Sequence, residues 1–100
     1  MFKIHRKNCC GLDVHKTWIY ACIGITDANG RTEYKQERFS SFPKGLRDLD
    51  DWLTLYSCDE VCMESSGKYW IPVFNALEIN HSVTLAHPKY TKPQKGNKTD

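Results

Sequence analysis

Two acidic residues of the chain lie in segments that are otherwise apolar. Asp13 interrupts the run of Cys, Leu and Val that starts at Cys9, and Glu64 closes the short run that starts at Glu60. An ionised carboxylate is costly to bury without a partner or a metal ion, so each position needs a chemical reason. Two carboxylates side by side would bind a hard divalent cation such as Mg²⁺ or Mn²⁺, and a pair of such ions supports phosphodiester cleavage.

Each of these carboxylates also has an ordinary structural explanation. Asp13 would pair with Lys16 or bond a turn, and Glu64 would cap the helix that follows it. Both explanations stay open from spacing alone. His15 is set aside as a ligand, on the expectation that it lies on the face of the strand opposite to Asp13.

The composition predicts one ordered domain. The chain has 100 residues, a net charge of +2, and 40% hydrophobic and 12% aromatic residues. Its five cysteines form neither an even disulfide framework nor a Cys-X-X-Cys pair, so we expect unpaired thiols, with Cys9, Cys22 and Cys62 buried in apolar runs. No apolar stretch approaches the roughly 20 residues of a membrane span, and no secretory signal is found. We therefore expect a cytoplasmic bacterial or archaeal protein with no membrane partner.

The apolar and turn patterns predict three strands, a helix, a strand, a second helix and a fifth strand. The first three strands are joined by short turns and should form an antiparallel meander. The later strands alternate with helices and should therefore be parallel. The predicted strands cover residues 9–16, 17–26, 31–39, 60–64 and 82–86. The result is a mixed sheet in an α/β domain.

Proline marks the start of both predicted helices. The first begins at Pro43, with Ser41 as its expected cap and Asp50 on its solvent side. The second has Pro72 in its first turn and is expected to bury Ile71, Phe74 and Leu77, with Val73 as a further candidate.

Residues 88–100 differ in composition from the rest of the chain. Four lysines recur at every third position and give this segment a net charge of +3, whereas residues 1–87 carry −1. The excess positive charge is therefore local. Two prolines among the lysines argue against a helix through the segment.

Three motifs together resemble the DEDD-type insertion-sequence transposases of family one-ten. They read GLDVHK at residues 11–16, MESSGKYWIPV at 63–73 and GNKTD at 96–100, in the order of that family. The resemblance implies a ribonuclease-H-like (RuvC-like) α/β fold with the strand order 3-2-1-4-5. It also implies metal-dependent cleavage and rejoining of DNA strands during excision and insertion of a mobile element, with a guide (bridge) RNA and a homo-oligomeric full-length protein.

The same resemblance assigns the acidic residues. Asp13, Glu64 and Asp100 would be the first three acids of the catalytic set that binds Mg²⁺ or Mn²⁺. The fourth acid of the family would lie three residues beyond Asp100, and a serine-bearing domain would follow. The chain is therefore expected to be a partial RuvC-like domain, incomplete at the carboxy end and inactive alone, in which residues 88–100 connect to a missing catalytic helix.

Nucleic-acid contacts are expected around these acids. Lys16 would meet a phosphate beside the first acid or merely balance its charge. Tyr69 and Trp70 would stack on a base or a sugar, or else belong to the core. The lysines of the tail would contact phosphates along the approach to the site or stay solvated: Lys89, Lys92, Lys95 and Lys98.

Two other functional classes fit the same order of elements. An actin-like ATPase half would need a glycine- and hydroxyl-rich phosphate loop after the first strand, but residues 15–18 read HKTW and contain no glycine. A non-catalytic truncated module for binding or oligomerisation needs no such motif. The ATPase interpretation is therefore disfavoured, and the binding module stays open.

Overall fold

The computed structural model describes residues 8–86 of the chain. Within this range the elements follow in the order β1 (Cys9–Val14), β2 (Trp18–Thr26), β3 (Thr32–Ser40), α1 (Pro43–Leu55), β4 (Glu60–Ser65), α2 (Trp70–Leu77) and β5 (Ser82–Leu85). The strands form one mixed sheet in the order β3-β2-β1-β4-β5. β2 pairs antiparallel with β1 and β3, whereas β4 pairs parallel with β1 and β5. The predicted fold class and strand order are confirmed.

Alternation along the central strands divides the sheet into a covered face and an open face. In β1, the buried residues Cys10, Leu12 and Val14 alternate with exposed ones, and β4 shows the same pattern. The buried residues join those of α1 and α2 in one core: Cys10, Leu12, Val14, Ile19, Ala21, Ile23, Leu46, Leu49, Leu53, Cys58, Val61, Met63, Val73 and Leu77. The strand residues that alternate with these buried ones form the open face, and they include Asp13 and Glu64.

The start of α1 differs from the prediction in its cap. The helix begins at Pro43 as predicted, because proline at the first helical position lacks only an N–H that would have no partner there. Its N-cap is Phe42, with no side-chain cap bond, so the prediction of Ser41 is wrong. The Ser41 hydroxyl instead donates to the carbonyl oxygen of Lys16 at 2.8 Å. This bond ties the end of β3 to the loop between β1 and β2.

The burial of α2 matches the prediction in part. Val73 and Leu77 are buried and Phe74 packs half-buried against the core, whereas Ile71 is 40% exposed. Because successive helical residues are about 100° apart, Ile71 lies far around the helix from Val73 and cannot share its buried face. Neither described helix has the length and apolarity needed to cross a membrane.

Asp50 of α1 is not on the solvent side as predicted, because it bonds a buried histidine. Its Oδ1 lies 2.7 Å from Nε2 of His81, and Nδ1 of the same ring lies 2.8 Å from the carbonyl oxygen of Cys58. Each ring nitrogen of His81 therefore meets an oxygen atom. This network fastens α1 to the segment that enters β5.

The five cysteines divide between the two faces of the sheet. Cys10 and Cys58 are buried. A hydrogen bond between their thiols, together with burial, raises the pKa of Cys10, while the same bond lowers the pKa of Cys58. Cys9 and Cys62 are exposed and Cys22 is half-buried, so the prediction that these three are buried hydrophobes is wrong. Alternation places them on the open face, with the two acids.

Ser57 adopts a backbone conformation that favours glycine. Its φ is 53°, and it follows the C-cap Tyr56 of α1. The amide of Ser57 donates to Thr54 and that of Cys58 donates to Leu53, which is the Schellman pattern of hydrogen bonds. We expect Ser57→Gly to raise the free energy of unfolding by about 0.5–1 kcal/mol, because glycine adopts this φ without steric cost. Urea denaturation followed by circular dichroism measures the change.

Ser66→Gly is the matched control for that prediction. Ser66 is also exposed but does not have a positive φ, so glycine there gains nothing and adds entropy to the unfolded chain. Equal stabilisation by Ser57→Gly and Ser66→Gly would contradict the argument from backbone conformation.

Candidate functional site

Asp13 and Glu64 meet at the centre of the open face. They are direct register partners on the adjacent parallel strands β1 and β4, so their Cα atoms are about one strand spacing, roughly 4.8 Å, apart. Both are exposed: Asp13 lies between the buried Leu12 and Val14, and Glu64 follows the buried Met63. The sheet therefore brings the two carboxylates together on one face.

A depression of about 300 Å³ lies beside the two carboxylates. Its lining residues are Gly11, Leu12, Asp13, Tyr20, Cys62 and Glu64. A Cβ atom added at Gly11 would meet no heavy atom within 4 Å, so the missing side chain keeps the depression open. The hollow gives a ligand access to both carboxylates.

Within residues 8–86, no lysine or arginine forms an ion pair with either carboxylate. The side chain of Asp13 is 58% exposed, and its close contact is with His15. Two adjacent carboxylates without a compensating cation repel each other, which favours the binding of a positive ion between them.

The donor atoms at this position fit a hard divalent cation. Asp13 and Glu64 offer carboxylate oxygens, which Mg²⁺ and Mn²⁺ prefer over softer ligands. The described residues contain no cluster of three or more metal-binding side chains, so they supply two protein ligands here. Asp100, the third predicted acid, lies outside the described residues.

His15 contacts Asp13, so the prediction that it points away from the face of Asp13 is wrong. Its Nε2 lies 2.9 Å from Oδ2 of Asp13, and this buried nitrogen makes no well-aligned hydrogen bond. β1 ends at Val14, and the amide of His15 donates to the carbonyl oxygen of Trp18 in a turn. Residues two positions apart on a strand lie on the same face, so alternation correctly applied places His15 on the side of Asp13.

The ring of His15 stacks on Trp18, with centroids 3.8 Å apart and planes inclined by 19°. Trp18 also carries the guanidinium of Arg38, whose Cζ lies 4.3 Å from the ring centroid. Sequence reasoning singled out neither residue. The signal that could have identified Arg38 is the strand register, because Arg38 pairs with Tyr20 and Tyr20 pairs with Asp13 across the sheet.

The structure describes three of the other residues that were predicted to contact nucleic acid. Lys16 is exposed in the loop after β1, and Tyr69 is 40% exposed at the N-cap of α2. Trp70 is half-buried against the core, and its ring meets Phe74 edge to face at 5.8 Å. That packing favours the core alternative for Trp70. The lysines of the tail lie outside the described residues: Lys89, Lys92, Lys95 and Lys98.

Solved structures with a similar fold include two resolvases. RuvC of Thermus thermophilus aligns with a TM-score of 0.58 and 11% identity, covering 81% of this chain and 64% of that one. The Fowlpox virus resolvase, solved with Holliday junction DNA, aligns with a TM-score of 0.57 and 18% identity, covering 90% of this chain and 66% of that one.

A third similar structure belongs to the Ppx/GppA protein family. The Ppx/GppA protein of Aquifex aeolicus aligns with a TM-score of 0.52 and 9% identity, covering 84% of this chain and 36% of that one. The chain thus spans between about a third and two thirds of the length of these three proteins. At these identities the similarity shows a shared fold.

Family comparison assigns the chain more narrowly. A search of curated proteins finds no match. The transposase profile of DEDD-type insertion-sequence family one-ten matches residues 10–100, which include Asp13, Glu64 and Asp100. The chain therefore belongs to the transposase family of DEDD-type insertion sequences.

Proposed function

We propose that this chain contributes a divalent-metal site to the cleavage and rejoining of DNA strands by a transposase. The observation that carries the proposal is the register pairing of Asp13 with Glu64 on the open face. Asp13 and Glu64 would hold Mg²⁺ or Mn²⁺, which when bound supplies positive charge to a phosphodiester and activates a nucleophile. The family match and the similarity to resolvases solved with Holliday junction DNA support DNA as the substrate.

The contribution of the chain itself is orientation. Backbone pairing of β1 with β4 fixes the spacing of the two carboxylates before any ligand arrives. Contact with His15, which is stacked on Trp18, restricts the side chain of Asp13. The depression beside Tyr20 and Cys62 leaves room for a phosphodiester next to the acids.

A phosphate-loop enzyme is disfavoured by the same geometry. The segment after β1 has no glycine, and the amide of His15 already donates to the carbonyl oxygen of Trp18. His15 is stacked on Trp18, and the carbonyl oxygens of Lys16 and Thr17 accept hydrogen bonds from Ser41. Such a segment does not offer a row of backbone amides to a nucleotide phosphate.

Further parts of the proposal follow from family membership. Asp100 would be a third ligand, and Lys16, Tyr69 and the lysines of residues 89–98 would contact nucleic acid. The guide RNA, the homo-oligomer and the cytoplasmic location stay predictions.

Metal-dependent DNA binding tests the proposal on the chain as it exists. A fluorescent duplex is titrated with protein, with and without Mn²⁺, and binding is followed by anisotropy. We expect Mn²⁺ to tighten binding, because the ion converts a repulsive pair of carboxylates into a site that attracts phosphate. Glu64→Gln should remove this gain, while binding without Mn²⁺ is unchanged or slightly tighter.

Glu78→Gln is the control for that experiment. Glu78 is exposed at the C-cap of α2, away from the open face, and the substitution removes the same charge. Equal Mn²⁺ dependence in the wild type and Glu64→Gln, or the absence of DNA binding under all conditions, would contradict the proposed function.

A further inference from the structure

Four residues form one cross-strand row on the open face. Register pairing runs from Arg38 on β3 to Tyr20 on β2, then to Asp13 on β1 and Glu64 on β4. Neighbouring strands are about 4.8 Å apart, so the backbone of Arg38 is roughly 10 Å from that of Asp13. The row therefore has a cationic end and an anionic end within the reach of one nucleic-acid strand.

Arg38 is held in place by an aromatic ring. Its Cζ is 4.3 Å from the centroid of Trp18, a contact in which the ring quadrupole attracts the guanidinium. The ring of His15 stacks on Trp18 at 3.8 Å, and two groups this close to one centroid must lie on opposite faces of the indole. Both faces of Trp18 are thus occupied, which leaves no face for a base. The indole supports Arg38.

The charge of Arg38 has no acidic partner in the part of the chain that the structure describes. None of the ion pairs found between residues 8 and 86 includes this exposed side chain, although Glu37 precedes it on β3. A guanidinium presents N–H donors in a planar fork that matches a phosphate group. An exposed arginine that is oriented by stacking is suited to bind an anion from solvent.

We infer that Arg38 binds a backbone phosphate of the DNA strand whose neighbouring phosphodiester lies at Asp13 and Glu64. The inference rests on the proposed function, because it assumes that the open face receives DNA. Arg38 would fix the direction in which the strand crosses the sheet, from β3 toward β4. It would also offset the repulsion between the phosphates and the two carboxylates.

Salt-dependent DNA binding by Arg38→Ala tests the inference. Anisotropy titrations of a fluorescent duplex are repeated at several salt concentrations in a buffer that contains Ca²⁺. The logarithm of the association constant is then plotted against the logarithm of the salt concentration. We expect Arg38→Ala to bind about fivefold more weakly, with a slope reduced in magnitude by about 0.9, the value for one lost phosphate contact. The affinity for Mn²⁺ without DNA should not change.

Two variants control for charge and for structure. Arg38→Lys keeps the positive charge but loses the planar fork, so the slope should match the wild type while the affinity falls less than in Arg38→Ala. Arg47→Ala removes an exposed arginine from α1, which packs on the other face of the sheet, and should leave both quantities unchanged. Thermal unfolding of each variant checks that the fold is kept.

The outcomes separate this inference from the proposed function. DNA binding by the wild type with an equal slope in Arg38→Ala would overturn the role of Arg38 and leave the metal site standing. A reduced slope in Arg38→Lys would also overturn it, because the charge is retained. Dependence on Arg38 that is seen with RNA of the same sequence but not with DNA would overturn the assignment to a DNA strand. Absence of all DNA binding would overturn both proposals.

Discussion

Replacing Asp13 with asparagine is expected to weaken Mn²⁺ binding at least about tenfold, a loss of about 1.4 kcal/mol. The variant keeps the size of the side chain but removes one of the two negative charges that meet across β1 and β4. Wild-type binding should itself be weak, because the described residues bring only two protein ligands together here. Isothermal titration calorimetry with Mn²⁺ measures both affinities.

Asp48→Asn is the matched control for Asp13→Asn. Asp48 is exposed on α1 and pairs with Lys44 at 3.1 Å, so its loss costs a surface ion pair without touching the open face. We expect its Mn²⁺ affinity to equal that of the wild type. An unchanged affinity in Asp13→Asn, or an equal loss in Asp48→Asn, would contradict a specific site at the paired carboxylates.

Replacing Gly45 with alanine is expected to destabilise the fold by about 2–3 kcal/mol. A Cβ at this buried position in α1 would lie 2.6 Å from the carbonyl carbon of Ser40 and 2.7 Å from its Cβ, and closer still to the carbonyl oxygen. The clash is with backbone, which cannot rotate away. It exceeds the gain of about 1 kcal/mol that alanine brings to a helix.

Thermal unfolding followed by circular dichroism measures the effect of Gly45→Ala. A loss of this size lowers the midpoint by about 10–20 °C in a domain of this length. Gly11→Ala is the control, since a Cβ there meets nothing within 4 Å and glycine is itself unfavourable inside a strand. A midpoint for Gly45→Ala equal to that of the wild type would show that α1 can move away from the end of β3.

The mixed sheet was predictable from local patterns. Alternation, turns and the helix starts predict its elements in chain order, whereas the strand order 3-2-1-4-5 was implied by the family resemblance. Asp13 and Glu64 stand out because each carboxylate interrupts or closes an apolar run. Once these acids are placed on one face, parity also places Cys9 and Cys62 there. The cysteines were assigned from the average hydrophobicity of their segments, which ignores the direction of each side chain.

Other features depend on tertiary contacts that local patterns do not contain. Asp50 lies one helical turn from Leu46 and Leu53, so its position faces the core, but its partner His81 is thirty-one residues away. The stack of Arg38 on Trp18 likewise arises from two strands joined by a turn. No periodicity in either segment indicates such pairs.

The position of the acids also links ion binding to folding. Asp13 and Glu64 are separated by fifty-one positions in the sequence, and they come together only when β1 pairs with β4. An unfolded chain has no such preformed arrangement, so a bound cation would add RT ln(1 + [ion]/Kd) to the free energy of unfolding. The concentration of divalent ions in the cell would therefore affect both the fraction of sites that hold an ion and the fraction of chains in which β1 and β4 are paired.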